Sequence, residues 1–404
     1  MPLPLFSLVF ALACVTSESD PDGRDRRARP DRTVTEPDPD ADDTAFSEDT
    51  APEDDTDEPD DTDEPDDTDE PDDTDEPDDT AEEPDPDPCP ADTVCVTSFP
   101  YEDSSTTTRA ARDDFDSYAC ASSTDESGPE VLYRVDVPED GFLALTLTDV
   151  ASGADVDVHL LTSDDPDDCL DRGHELAGSY VEAGRYWVVA DTWVTSGGDE
   201  QDGAYTLTIG LTSIDGLVTE GLAADFAEDA LRAFDVAWDN GDTDRFPYAV
   251  TDYSLHSSEL RQWVLDLTDG SVLHQLHLPH GEGSSSGDSG VADTFSNVDN
   301  SHQSSLGMMR GAEEYSGSYG DSMRLDGLED GFNDNVRDRA IVVHPWSGSR
   351  AEYVARWGEA AETWGCPALD DRLSADVIDL LADGGLLFFW YPDAEWLRES
   401  TYLP

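Results

Sequence analysis

Two side chains in the last third of the sequence can do covalent chemistry together: the thiol of Cys366 and the imidazole of His344. A free thiol ionises near pH 8.5, so at neutral pH it needs a neighbouring base to become a thiolate. His344 follows the apolar run Arg339-Ala340-Ile341-Val342-Val343, which reads as a short buried strand. Cys366 lies in Thr363-Trp364-Gly365-Cys366-Pro367-Ala368, a turn sequence. A His at a strand end and a Cys on a later turn can meet within one small domain. Gly365 permits close backbone approach, so amides around Trp364 to Cys366 are placed for an oxyanion hole. Acyl transfer through a thioester is the chemistry this set serves. On composition alone, a buried structural Cys and a core His is the preferred reading.

The elements that must position these residues are readable around them. Residues 219–239 place Leu222, Phe226, Ala230, Phe234 and Trp238 four apart, the spacing of an amphipathic helix. Strands are expected at 262–267 and 271–278, a helix near 374–382 and a closing strand at 385–391. Two other patterns compete for attention. Gly287-Asp288-Ser289-Gly290 copies a serine-protease nucleophile turn, but no matching His and Asp settings precede it, so it belongs to a Gly/Ser loop. His274, His277 and His280 suggest a metal cluster, yet on a strand 274 and 277 point to opposite faces. No metal site is expected there, and nothing in the sequence implies a cofactor.

Charge excludes more than it identifies. The 404 residues hold 97 acidic and 21 basic residues, net −76, and every basic residue is Arg. Without Lys there is no Schiff-base or phosphate-loop Lys chemistry, and nucleic acid is not an expected partner for so acidic a chain. The acidity is unevenly spread. Residues 15–88 carry 35 acidic and five Arg residues, with EPDDTD recurring at a six-residue period. With no apolar residue in the repeat, nothing offsets the entropy of ordering it, and like charges with regular Pro keep it extended. We expect a disordered acidic linker there. Ahead of it, 3–13 is an apolar run too short to span a bilayer, and reads as a signal-peptide core. Ala11-Leu12-Ala13-Cys14 resembles a bacterial lipobox, which makes Cys14 a candidate for lipidation and membrane anchoring; cleavage and release is the other reading. An exported chain belongs to the cell envelope or the medium.

Export also implies oxidation. Cys89, Cys95, Cys120 and Cys169 are expected to form two disulfides, with 89–95 and 120–169 preferred among the possible pairings. Cys366 is then left over. Residues 130–137, 141–148, 155–161, 185–190 and 204–209 alternate or run apolar between Gly, Pro and Asp turns, as in an antiparallel sandwich. The pieces Gly128-Pro129-Glu130 through Tyr133, Asp155 to Leu161, Gly184-Arg185-Tyr186 and Gly203-Ala204-Tyr205-Thr206-Leu207 resemble bacterial pre-peptidase C-terminal domains. That resemblance implies a jelly-roll-like β-sandwich over 89–214 with an accessory role, in some cases with weakly bound Ca²⁺. Asp155 and Asp157 share one strand face and are its candidate ligands, or simply a solvated face.

A second resemblance covers 215–404. His280-Gly281, Phe295-Ser296-Asn297, Ser304-Ser305-Leu306-Gly307, Tyr315 with Gly317, Arg324-Leu325-Asp326-Gly327-Leu328, Asn333 with Asn335, the run 339–344 and Trp364-Gly365-Cys366-Pro367-Ala368 occur in order. Together they resemble the murein L,D-transpeptidase catalytic domain family, in a divergent YkuD-like branch. The resemblance implies a largely β catalytic domain with a few helices, Cys366 as nucleophile, His344 as base and Gly365 as the oxyanion-hole glycine. It implies peptidoglycan stem peptides as substrate, with release of D-Ala and formation of 3–3 cross-links. His280, Arg324, Asn333, Asn335, Arg339 and Trp364 become candidate substrate contacts, with Ser304 and Ser305 as polar lining. The chain departs from the pattern at Ala361-Glu362-Thr363, where the branch has Gly-Arg-Ser, and at Pro345-Trp346, where it has small residues. An L,D-carboxypeptidase on the same site and a non-catalytic wall-binding scaffold are the alternatives. Oligomeric state is not legible.

Overall fold

The computed structural model describes residues 88–403 except 109 and 111. The expected signal peptide, Cys14 and nearly all of the acidic linker lie outside the described residues.

The architecture is mainly β. The first nine strands are β1 Thr93–Val96, β2 Tyr101–Thr106, β3 Val131–Val137, β4 Gly141–Thr148, β5 Val156–Leu161, β6 Cys169–Gly173, β7 Leu176–Val181, β8 Gly184–Thr192 and β9 Ala204–Ser213. They form two sheets, ordered β1-β3-β8-β5-β6 and β2-β9-β4-β7. All neighbours run antiparallel except β1 and β3. Period-two alternation dictates this: Tyr133, Val135, Leu143, Leu145, Leu147, Val158, Leu160, Val188, Leu207 and Ile209 point between the sheets and are buried. Disulfides join Cys89 to Cys95 and Cys120 to Cys169, the preferred pairing.

The remainder comprises α1 Ile214–Thr219, α2 Ala224–Asp239, β10 Pro247–Asp252, β11 Gln262–Asp266, β12 Ser271–Leu276, β13 Gly307–Gly317, β14 Gly320–Gly327, β15 Val342–Trp346, α3 Ala351–Trp357, β16 Ala368–Asp370, α4 Ser374–Leu381, β17 Leu386–Trp390 and α5 Trp396–Glu399. Its eight-stranded sheet has the order β12-β11-β10-β17-β13-β14-β15-β16. The helix expected over 219–239 starts later, at Ala224, and Gly221, whose φ of 100° no ordinary helix residue adopts, parts it from α1. Helix α2 buries Phe226, Ala230, Leu231, Phe234 and Ala237, the stripe its spacing requires. It does so against both halves of the molecule. Phe142 of β4 meets Phe234 edge-on at 5.0 Å and joins the core of the eight-stranded sheet. Trp238 Nε1 donates to Asp171 Oδ2 at 2.9 Å, and Tyr180 N donates to Asp235 Oδ1 at 2.6 Å.

Candidate active site

The strand carrying His344 differs from the expected one. It begins at Val342, because Ala340 takes a left-handed φ of 55° and ends the extended run before it starts. His344 is therefore the middle residue of β15 and pairs in parallel register with Ala368 of β16. The register decides what His344 can reach. Cys366 lies two residues before Ala368, with its Sγ 3.3 Å from the amide of Val342, itself two residues before His344. Alternation puts Val342 and His344 on one strand face, so the ring of His344 stands one side-chain row, roughly 6–7 Å along the strand, from the sulfur.

The tautomer of His344 follows from its partners. Nδ1 lies 3.1 Å from the carbonyl oxygen of Pro345, which can only accept, so Nδ1 carries the proton. Nε2 is then a lone pair, buried and without a hydrogen-bond partner. Burial holds the imidazole below its ordinary range, so the ring is neutral at pH 7. Tyr319, in the two-residue turn joining β13 to β14, stacks on the ring at 4.8 Å, and Trp346 meets both edge-on. Nothing in the sequence marks Tyr319; its position depends on the pairing of a hairpin with a strand far along the chain.

Cys366 sits on a tight turn held from inside. Thr363 Oγ1 accepts from Gly365 N at 3.1 Å and donates to Cys366 O at 2.9 Å. Of the amides around Trp364 to Cys366 expected to form an oxyanion hole, that of Gly365 is turned into Thr363. What the glycine supplies is shape. Its φ is 107°, and a Cβ there would stand 2.5 Å from Gln303 O. The whole turn is seated on His280-Gly281, where Thr363 N donates to His280 O and Glu282 N donates to Thr363 O. The sulfur of Cys366 is fully buried and disulfide-bonded, so the expected free, exposed thiol is absent; no cysteine among the described residues is free. The void beside Gly365, lined by Tyr253, Ser305, Ile341 and Pro367, holds about 10 Å³.

The other candidates divide sharply. His280 is buried and spoken for on both ring nitrogens, by Arg261 Nη2 at 2.7 Å and Ser285 Oγ at 2.8 Å, so it is no substrate contact. Arg339, expected to hold a substrate carboxylate, instead donates to Ser296 O, Ser305 Oγ, Ser301 Oγ and Gln303 O, pinning the 296–305 segment. Asn333 is likewise consumed internally: Nδ2 donates to Leu306 O and Met308 O, and Oδ1 accepts from Glu329 N. Ser304 Oγ accepts from Gly281 N, and Ser305 Oγ donates to Ser296 O. Arg324 pairs with Glu313 at 3.2 Å over the ring of Tyr315. Asn335 is exposed and borders a cavity of about 410 Å³ with Asn297, Asp299, Asp338 and Arg339. Trp364 stacks on His302 at 4.5 Å. Ser289 donates to Glu359, and His277 Nδ1 lies against Glu259 O. In the sandwich, Asp157 is buried between Arg172 and His174, with Asp155 alongside.

Residues 219–390 match the model of the L,D-transpeptidase catalytic domain family. No curated protein matches the chain. Among solved structures, the chain is similar to the pre-peptidase C-terminal domain of a Bacillus anthracis collagenase, at 12% identity over 30% of this chain and 99% of that one, with a TM-score of 0.21. It is similar at 7% identity to PliG of Aeromonas hydrophila, a periplasmic inhibitor of g-type lysozyme, over 30% and 96% of the two chains, with a TM-score of 0.19.

Proposed function

We propose that the stretch matching the L,D-transpeptidase catalytic domain is an exported cysteine acyltransferase acting on peptidoglycan tetrapeptide stems. The observation that carries this reading is the bare Nε2 of His344, one row from Cys366 on the turn that leads into the neighbouring strand. The reaction starts from the reduced thiol. Nε2 takes the Sγ proton, and the thiolate attacks the carbonyl of the amide between the third residue and the terminal D-Ala. The C–N bond breaks, the proton passes from His344 to the departing amine, and D-Ala leaves a thioester on Cys366. An amine of a second stem then attacks that carbonyl, gives up its proton to His344 and releases the thiolate, forming a 3–3 cross-link. Water in place of the amine makes the enzyme an L,D-carboxypeptidase.

The test is incubation of the reduced full chain with a defined disaccharide-tetrapeptide, with products read by mass spectrometry. A cross-linked dimer with loss of D-Ala supports transpeptidation, and hydrolytic loss of D-Ala supports the carboxypeptidase. An unchanged substrate overturns the assignment in favour of a non-catalytic scaffold, and equal turnover by Cys366→Ala overturns Cys366 as the nucleophile.

A further inference from the structure

Arg261 is fully buried, in a chain whose net charge is −76. Its guanidinium spends its donors on neutral acceptors: Nε on Leu278 O at 2.8 Å, Nη1 on Leu255 O at 2.7 Å and Nη2 on His280 Nδ1 at 2.7 Å. It lies over the ring of Tyr253 at 5.1 Å. No carboxylate among the described residues forms an ion pair with it; Asp252, buried and bonded to Ser254, donates its backbone N–H to Arg261 O and acts on the guanidinium by charge without a side-chain contact. A buried cation without a counter-ion is costly, and burial lowers even this group to about 10. It remains charged at neutral pH all the same.

The surroundings say what that charge faces. Arg has no acceptor, so His280 Nδ1 must accept, and Nε2 carries the proton that goes to Ser285 Oγ at 2.8 Å. His280 is thereby locked neutral, held at about 3 by burial, Arg261 and His256. The backbone of His280 and Gly281 is the seat of the nucleophile turn: Thr363 N donates to His280 O at 2.9 Å, and a Cβ on Gly281 would lie 2.9 Å from Gly365 N. Tyr253, whose face Arg261 covers, lines the void against Gly365 and Pro367. One ring on each path separates the guanidinium from the residues flanking Cys366.

We infer that Arg261 is a positioning residue whose buried positive charge, set behind the nucleophile turn through His280 and Tyr253, favours the thiolate of Cys366 and the oxyanion that follows it. Arg261 has no hydrogen-bonded carboxylate of its own, and the reaction generates a further anion beyond Asp252 for its charge to act on. Arg261 exchanges no proton and touches no substrate. The inference rests on Cys366 being the nucleophile, and the experiment separates the two claims.

The reduced full chain is alkylated with iodoacetamide between pH 5 and 9, and modification of the Cys366 peptide is followed by mass spectrometry. Wild type, Arg261→Lys, Arg261→Gln and His344→Ala are compared, with thermal unfolding as the check on folding. Arg261→Gln is expected to move the midpoint up by about one pH unit, making alkylation on the acidic side about tenfold slower. Arg261→Lys, which keeps the charge, stays near wild type. An unchanged midpoint in folded Arg261→Gln overturns the inference while leaving the nucleophile intact. A wild-type Cys366 that does not react, or reacts independently of His344, overturns the nucleophile itself. Should Arg261→Gln not fold, the neutral Arg261→Met is read in its place by the same outcomes.

Discussion

His344 and Ala368 face each other across the parallel β15–β16 pair, and this register alone sets the imidazole one row from Cys366. The imidazole is held below its ordinary range by burial, with Nδ1–H fixed on Pro345 O. The folded state thus binds this proton less readily than the unfolded chain does. The neutral ring persists as pH falls through about 6.5, the ordinary His value. The acid limb of kcat/KM for D-Ala release should therefore lie below 6.5, and a limb at or above it would contradict the buried ring. Stability follows the same sign: His344 contributes fully above about 6.5, and the contribution is lost as pH falls from there toward the lowered folded value. His344→Ala should lower kcat by about 10²–10⁴.

Gly365→Ala should damage both fold and turnover. The added methyl meets Gln303 O at 2.5 Å at a φ of 107°, a conflict of about 2–4 kcal/mol. Chemical denaturation should register the loss alongside a failure to release D-Ala.

Arg339→Ala and Asn333→Ala should act on stability before substrate affinity. Each strips several hydrogen bonds from buried carbonyls and hydroxyls, and leaving such groups unmet costs about 2–3 kcal/mol. Exposed Asn335→Ala should leave the denaturation midpoint near wild type. If Arg339→Ala raised KM at unchanged stability, the internal role assigned to its guanidinium would be wrong.

The sandwich makes its own pH prediction. Burial pushes Asp191 up to about 9, where it takes the hydroxyl proton contact of Tyr118 and the amide of Thr192. Its folded value stands above its unfolded one, so its stabilisation is complete below about pH 4 and drains away as pH rises toward 9. Asp191→Asn mimics the protonated acid and escapes this loss. Its stability relative to wild type should grow between pH 5 and pH 8, at about 1.4 kcal/mol per unit, read from urea unfolding at the two pH values.

Much of the fold was legible because it rests on local pattern. The strands over 141–148 and 204–209 alternate cleanly between turns, and the paired Cys fall at either end of one sandwich. Cys366 and His344 could be singled out by chemistry alone. What stayed hidden depends on distant pairing. Arg339 reads as a ligand for an acid until the 296–305 segment is seen wrapped around it. Arg261 carries no signal at all, since nothing in its neighbours announces a buried cation. Ala340 breaks a strand that its own apolar neighbours would extend, because its left-handed φ is set by the turn that returns Ile341 N to Val336 O.

Phe142 sits in the sandwich by sequence but in the core of the eight-stranded sheet by contact. The two halves therefore share one apolar core. Calorimetry of residues 89–404 should give a single melting transition, and a ligand that tightens either half should raise it for both. Separated at residue 214, each half would bare an apolar face that the other now keeps dry. The side chains that carry the sandwich's Phe142 also reach Val342 and Val343 of the His344 strand, so a load on one half is borne by the packing of the other.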